Sequence, residues 1–240
     1  MRLPSRAVTL LAVAALPLAA LTACSSGSAS DGGTSAKVAK AKDPNAGLLT
    51  GAQLKKALAP ASYFPAGFAV DASASRDTGD TYTPPSAKPI AKPECDLLGG
   101  TSWIELTGIG GVSFAQNSYV SKNTSEELDQ EIDVYRGTTA ADVLKALPKV
   151  VAACPSYTDT DSHSKVKIAG ASTAGLGDEA YTITLTSDAW ESGTTLIAAR
   201  KGTAVVTVLS TAGSDNGVAN AKKLTDKVLS SLKGTDAAKG

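Results

Sequence analysis

The side chains that could take part in catalysis do not form a coherent catalytic pattern in this sequence. His163 is the single histidine among 240 residues, so a Ser-His-Asp or Cys-His mechanism would have to use it. It lies in the polar segment YTDTDSHSK, which is typical of an exposed loop. The fragments SHSK (from Ser162) and SDN (from Ser214) match motifs of serine acyl-enzymes, and KGT (from Lys201) contains the residues of a third motif in a different order. The three fragments do not follow one another along the chain as they do in those enzymes. We therefore expect that the protein is not an enzyme.

The same polar segment contains alternating groups that could bind a cation. Asp159, Asp161 and His163 occur at every second position. The segment lacks the glycine and the distal glutamate of a calcium-binding loop. Solvation of a loop accounts for these residues, so the sequence predicts neither a metal site nor a cofactor.

Acidic and apolar residues alternate in the segment EELDQEIDVYR. Such alternation is typical of a half-buried antiparallel strand. We interpret the acidic side as a solvated face of a sheet. The alternative is that this face lines a groove, which would favour cationic or polyhydroxyl ligands. The acidic row is Glu127, Asp129, Glu131 and Asp133, and the apolar row is Leu128, Ile132 and Val134.

Aromatic residues are the other candidates for contact with a ligand. A tryptophan in an exported domain belongs to the core or forms a platform for a ligand. We place Trp103, which is close to Cys95, in the core. We expect a ligand cleft where a helix that bends at Pro148 leaves the strands. The candidate ligand-binding residues are Trp190, Tyr119 and Tyr181.

The N-terminal segment has the features of an export signal. Arg2 and Arg6 precede an apolar run that is too short to span a bilayer comfortably. The run ends in LTAC, which resembles the lipobox of bacterial lipoproteins and implies cleavage before Cys24 and acylation of that residue. Two or three acyl chains anchor a protein stably. The alternative is a plain secretory signal followed by an accidental cysteine.

The first part of the predicted mature chain reads as a tether. Residues 1–23 are the predicted signal peptide, and residues 24–46 are rich in Ser, Gly, Ala and Lys. Such a segment cannot bury enough apolar surface to offset its conformational entropy. We expect a flexible tether that holds a single domain, residues 47–234, about 25 Å from the membrane. Residues 235–240 are predicted to be a disordered tail.

Two cysteines remain besides Cys24. An even pair in an exported domain most simply forms a disulfide, which here would join Cys95 to Cys154. The closed loop of nearly sixty residues would contribute roughly 4 kcal/mol in the chain-entropy model. The alternative is two separate buried thiols.

The charge balance excludes a nucleic-acid partner. Loss of residues 1–23 removes two of the 23 basic residues and none of the 23 acidic ones, so the mature chain is close to neutral. No basic patch suggests binding to nucleic acid.

The elements expected around these residues indicate an α+β fold. A capping box, Thr50 with Gln53, begins a helix that stops before Pro60. Helical spacing recurs over 138–154 and from about 216 to 232, and 76–93 reads as a long loop. We expect a twisted antiparallel sheet of about five to six strands, packed with two or three helices and closed by one disulfide. The strand segments are GFAVDAS, GVSFAQNSYVSK, EELDQEIDVYR, EAYTITLTS, TTLIAARKG and TAVVTVLST.

The order of these features resembles the PknH-like extracellular domain, found in mycobacterial kinase sensors and related actinobacterial lipoproteins. The resemblance rests on LTAC, LLTGAQLKKAL, Cys95, the helix ending in Cys154, LGDEAY, AARKGTAVV and the terminal helix. It implies a twisted antiparallel sheet and helices around a cleft that binds an unidentified extracellular ligand. Mycobacterial members carry two disulfides, whereas this chain has cysteines for one. The sequence contains no kinase portion, so signalling would need a partner.

These features together predict a lipoprotein on the extracellular face of the cell membrane. Its domain would be a non-catalytic ligand-binding or sensory module. The expected partners are the membrane, through the lipid anchor, and a small molecule or envelope component, with a signalling protein as a further candidate. The alternative is a structural or accessory lipoprotein that binds another envelope protein. A deep pocket would favour a ligand-binding module, and a flat exposed patch would favour a lipoprotein that binds another protein.

Overall fold

The computed structural model describes residues 42–233. They form a mixed helix and sheet structure, which confirms the expected α+β class. The predicted signal peptide, Cys24, most of the tether and the C-terminal tail lie outside the described residues. No helix in the described range is long and apolar enough to cross a membrane.

The main sheet has eight antiparallel strands in the order β1-β4-β5-β10-β9-β8-β7-β6. A separate two-stranded sheet pairs β2 with β3. The strands are β1 (Phe68–Asp77), β2 (Ser86–Ala87), β3 (Ile109–Gly110), β4 (Ser113–Ser121), β5 (Glu127–Val134), β6 (Ser156–Thr158), β7 (Lys165–Ser172), β8 (Glu179–Ser187), β9 (Thr194–Lys201) and β10 (Ala204–Ser210).

The two edges of the main sheet are irregular or short. In β1 the register with β4 shifts between Asp71 and Arg76, which marks a bulge. At the other edge, β6 contributes three residues, Ser156 to Thr158.

Helices cover both faces of the main sheet. They are α1 (Gly51–Ala57), α2 (Ile104–Thr107), α3 (Thr139–Ala153) and α4 (Val218–Lys233). Helices α1 and α4 pack over one face, and α4 contacts β9, β10 and β5. Helix α3 covers the other face over β7, β8 and β9, with α2 beside it. Two apolar cores therefore lie on opposite sides of one sheet.

Local sequence signals account for the first and third helices. At α1 the Thr50 hydroxyl accepts the backbone N–H of Gln53, and the Gln53 side chain accepts the N–H of Thr50. This is the predicted capping box, which satisfies N–H groups that a helix leaves free at its start. Helix α3 continues through Pro148 and ends beside Cys154. Cys154 forms the predicted disulfide with Cys95, with the Cα atoms 5.5 Å apart.

The expected numbers of strands and helices were too low. The main sheet has eight strands rather than five or six, and the described chain has four helices rather than two or three. Strand β7 was missed because it buries few large side chains, chiefly Val166 and Ile168. Strand β6 and helix α2 are too short for a periodic pattern. The expected loop over 76–93 contains the end of β1 and all of β2.

Candidate functional site

A cavity of about 360 Å³ opens over the part of the sheet that α3 leaves uncovered. Its base is the face formed by β1, β4 and β5, and its roof is the segment 102–111, which includes α2 and β3. The volume lies within the usual range for small-molecule sites. We call it the carboxyl cavity, after the groups at its base.

Three side chains of β5 and its extension form the base of the carboxyl cavity. Glu131, Asp133 and Tyr135 occupy alternate positions, so they point to the same face of the sheet. Ile132 and Val134, between them, point into the opposite core. Glu131 is 3% exposed, Asp133 9% and Tyr135 2%. The interpretation of this acidic row as a solvated face is therefore wrong for Glu131 and Asp133.

The two carboxyl groups lie two positions apart on one face of β5 and line the same cavity, so the charge of each acts on the other. Burial raises the pKa of Glu131, while the hydroxyl of Thr101, which donates to its Oε2, and the charge of Arg76 act in the opposite direction. Burial also raises the pKa of Asp133 well above its ordinary value, and the charge of Glu131 adds to the rise. Two buried carboxyls on one face of a strand do not readily ionise together, because their charges repel. The pair therefore holds one proton near neutral pH.

Tyr135 lies against this pair. Burial and then the charges of Asp133 and Glu131 raise the pKa of its phenol well above the ordinary value. Its hydroxyl makes no hydrogen bond to another group in residues 42–233. A buried tyrosine hydroxyl usually has a partner, so this donor is available to a molecule in the cavity.

Trp103 supplies an aromatic wall opposite the sheet. Its indole is 1% exposed, which agrees with its expected place in the core, yet part of it lines the cavity. The Nε1–H donates to the hydroxyl of Thr207 at 2.7 Å, which fixes the orientation of the ring. Thr207 lies on β10 directly across from Glu131. The indole donor is thus already used, and the ring itself faces the cavity.

Glycines allow the roof to approach the sheet closely. Gly108 ends α2 with φ +76°, and a Cβ there would lie 1.7 Å from the carbonyl oxygen of Lys88. A Cβ on Gly111 would lie 3.0 Å from the carbonyl oxygen of Val134. A larger residue at Gly111 would push the roof away from β5, and one at Gly108 would push it away from the segment that follows β2.

Arg76, on the exposed edge strand β1, stands at the mouth of the cavity. Its Nε donates to Oε1 of Gln116 at 3.0 Å, and its Cζ lies 5.8 Å from the centre of the Phe114 ring. Its terminal nitrogens make no hydrogen bond or ion pair within the described range. The guanidinium is therefore held by its stem and faces the opening.

The acidic face continues from the cavity toward the start of β5. Asp129 is largely buried, and its Oδ1 has no hydrogen-bond partner in the described part of the chain. Burial and the charge of Glu127 raise its pKa to about 7. The hydroxyl of Ser118 on β4 donates to Glu127 at 3.1 Å. Unfavourable burial therefore extends along the row from Asp133 and Glu131 to Asp129.

The three aromatic residues expected to bind ligand do not come together. Tyr119 is buried in the core on the α4 side and stacks on Phe64 with ring centres 3.7 Å apart. Tyr181 is buried in the core on the α3 side, and Trp190 packs against that same core while partly exposed. The sheet separates Tyr119 from the other two, and none of the three lines the carboxyl cavity. Their role in ligand binding stays a prediction.

The loop around His163 shows no metal-binding geometry. The carboxylate of Asp159 accepts the backbone N–H groups of Asp161 and Ser162, which closes a turn, and His163 is exposed. Within residues 42–233 no group of three or more His, Cys, Asp or Glu side chains could hold a metal ion.

Sequence reasoning missed the residues that do meet at the cavity. The acidic alternation of β5 is visible in the sequence, but the segment that covers it, 102–111, has no periodic pattern of its own, so no sequence signal shows that these carboxyls are buried.

Comparison with known proteins finds neither a protein-family model that matches this chain nor a matching curated protein. The resemblance to PknH-like domains therefore stays a prediction, and the function is argued from the geometry of the site.

Proposed function

We propose that this chain is a lipoprotein on the outer face of the cell membrane whose domain binds a small ligand non-covalently in the carboxyl cavity. The observation that carries the proposal is the buried pair Glu131 and Asp133 at the base of an open cavity. Burial of ionisable groups without a compensating cation destabilises a fold. Such groups in a cleft are typical of functional sites.

The chemistry of the base favours a polar ligand. Carboxyl oxygens accept hydrogen bonds from amines or hydroxyls, and the hydroxyl of Tyr135 can donate one. Aromatic side chains, Trp103 and Phe114, provide flat apolar contacts beside these groups. Cationic and polyhydroxyl compounds combine these requirements, as the groove interpretation of the acidic row suggested.

Binding fits the arrangement of the two carboxyls better than hydrolysis. Glycosidases separate their two carboxyl groups by about 5 Å or more, which leaves room for the reacting bond or a water molecule. Glu131 and Asp133 instead project from alternate positions of one strand to the same side of the cavity, rather than flanking it from opposite walls. His163, the single histidine, lies in the loop before β7 rather than among the residues that line the cavity.

The cellular role rests on the sequence rather than on the cavity. LTAC with the preceding apolar run supports cleavage before Cys24 and lipid anchoring. The resemblance to PknH-like domains supports a sensory role, in which a bound ligand is signalled through a partner protein. An accessory role, in which the domain binds another envelope protein, is the competing outcome of the test below.

The test is a thermal-shift screen of the full chain, purified in neutral detergent, against amines, sugars and amino acids. A ligand at a hundred times its dissociation constant adds about 2.7 kcal/mol of stability. We expect hits whose stabilisation is lost in Asp133→Asn and retained in Asp142→Asn. Asp142 is a matched control because it is 54% exposed on α3 and pairs only with Lys145.

Two results would contradict the proposal. Hits that stabilise Asp133→Asn as strongly as the wild type would place binding elsewhere. Turnover of an ester, amide or glycoside, abolished by Glu131→Gln, would make the protein an enzyme.

A further inference from the structure

We infer that the carboxyl cavity takes a small organic cation with N–H groups, which binds at Glu131 and Asp133 and displaces a proton to solvent. The inference rests on the proposed function and narrows it from polar ligands in general to one class. It also connects occupancy of the site to pH.

The charges around the cavity leave an excess of negative groups. Glu131, Asp133 and Glu105 line it, with Arg76 as the single basic residue among the described lining residues. The Nε of Arg76 is occupied by Gln116, and its Cζ lies near the ring of Phe114 at the mouth. The charge of Arg76 lowers the pKa of Glu131, so the guanidinium offsets part of the negative charge, but it is one cation against three carboxyl groups.

Hydrogen-bonding capacity at the base is also unfilled. An ionised carboxylate offers about four acceptor sites. Glu131 accepts a hydrogen bond from the hydroxyl of Thr101, and no group in the described structure donates a hydrogen bond to the carboxyl of Asp133. Asp133 is nevertheless about nine-tenths buried. A ligand that completes these acceptors must carry donors, which an ammonium, amidinium or guanidinium group does.

The hydroxyl of Tyr135 is a second, independent indication of a ligand. Tyr135 is 2% exposed and lines the same cavity as both carboxyls, and its hydroxyl lacks a hydrogen-bond partner in the described chain. A ligand that carries a hydroxyl or carbonyl next to its cation could accept this donor while its N–H groups reach Asp133.

Aromatic rings around the charged base strengthen the choice of a cation. Trp103, Phe114 and Tyr135 line the cavity, and the electron-rich face of an aromatic ring attracts a cation. The Nε1–H of Trp103 is already bound to Thr207, so the indole offers its ring rather than a donor. A neutral ligand of the same shape would gain the apolar contact but not this attraction.

Binding of a cation changes the proton count of the pair. Without ligand, Glu131 and Asp133 share one proton because two adjacent buried anions repel each other. A cation beside them allows both to ionise, and the proton leaves to solvent. The charged or titratable groups that face the pair are Arg76 from β1, Glu105 from α2, Tyr135 beyond β5 and Asp129 earlier on β5. Arg76 is the one cation among these described groups, and it offsets only part of their negative charge.

Isothermal titration of the full chain in neutral detergent tests this inference with two matched pairs of probes. Benzamidine is compared with benzamide, and cyclohexylamine with cyclohexanol, so that each cation has a neutral partner of similar shape. Titrations in two buffers of different ionisation enthalpy count the protons released. We expect each cation to bind about tenfold or more tightly than its neutral partner. We also expect proton release, and an affinity that rises with pH.

Variants connect these effects to the pair. Asp133→Asn removes an ionisable carboxyl with little change of shape, and Glu131→Gln provides a second variant should the first fold poorly. Each should reduce cation binding about tenfold and abolish proton release, whereas Asp142→Asn should change neither.

The outcomes separate this inference from the proposed function. Neutral probes that bind as tightly as the cations, and that depend on Asp133, would overturn the inference while the cavity remains a binding site. Cations that show no dependence on Asp133 or Glu131, or no binding, would also overturn it. Binding without proton release would show that the pair keeps its proton, which contradicts the proposed exchange.

Discussion

Replacement of Asp129 by asparagine measures how far a buried carboxyl of the acidic row lowers the free energy of unfolding. Its carboxyl is largely buried on β5, and Oδ1 lacks a hydrogen-bond partner in the described structure. Burial, followed by the charge of Glu127, raises its pKa from 3.8 to about 7. In the unfolded chain the carboxyl returns to its ordinary pKa. The folded state therefore binds this proton more tightly than the unfolded state does.

The direction and size of the effect follow from this difference. The contribution of such a group is most favourable below its unfolded-state pKa and is lost as pH rises through its folded-state pKa. A rise from 3.8 to about 7 corresponds to about 4 kcal/mol, at roughly 1.4 kcal/mol for each pH unit. The wild type should therefore lose about 4 kcal/mol through Asp129 between about pH 4 and pH 8. The Asp129→Asn variant should not show this loss of stability.

Urea unfolding at constant ionic strength, followed by tryptophan fluorescence, measures the difference. Urea is uncharged and leaves the electrostatics unscreened, and the buried Trp103 reports on the fold. We expect the two proteins to have similar stability near pH 4, and the variant to become increasingly more stable toward pH 8. Contributions from Glu131 and Asp133 are common to both proteins and largely cancel. If the difference in free energy of unfolding between the two proteins were the same at pH 4 and pH 8, this account would be refuted. The control Asp142→Asn should differ from the wild type by the same amount at both pH values.

Three further expectations concern the anchor, the disulfide and the core. Cys24→Ala should move the protein from the membrane to the soluble fraction on cell fractionation, and continued membrane association would place the anchor elsewhere. Serine at both Cys95 and Cys154 should lower the free energy of unfolding by roughly 4 kcal/mol, because the bond closes 59 residues; alkylation of two thiols in unreduced, unfolded protein would disprove the bond. Gln130→Leu should cost about 2–4 kcal/mol in urea unfolding, because the buried amide serves both the N–H and the C=O of Ala59, and an unchanged midpoint would contradict this.

Patterns with a strong period were read correctly from the sequence. The alternation of β5 separates its two faces as the structure has them, with Ile132 and Val134 in one core. The capping box places the start of α1, because the Thr50 and Gln53 side chains satisfy local backbone groups whatever the rest of the fold does. The disulfide between Cys95 and Cys154 was predicted because an even pair of cysteines in an exported domain usually forms one.

What surrounds each face could not be read from the sequence. Alternation predicts that Glu131 and Asp133 share a side but not that a non-periodic segment, 102–111, folds over them. The same limit applies to Tyr119 and Tyr181, which seemed equivalent as aromatic residues of two strands. They lie on opposite faces because face assignment depends on register across the whole sheet. Candidate sites drawn from residue type alone therefore combined positions that the sheet keeps apart.

The irregular edges of the main sheet bear on how copies of this protein behave beside each other. An unpaired edge strand exposes N–H and C=O groups that can pair with another chain. Here the bulge between Asp71 and Arg76 distorts one edge, and at the other edge β6 covers the first three residues of β7 and leaves a short uncovered stretch. Anchoring on a membrane, as proposed, would concentrate copies in two dimensions and bring such edges together often. We therefore expect the domain to remain separate at high surface density, because neither edge offers a long straight strand on which a neighbour's sheet could continue.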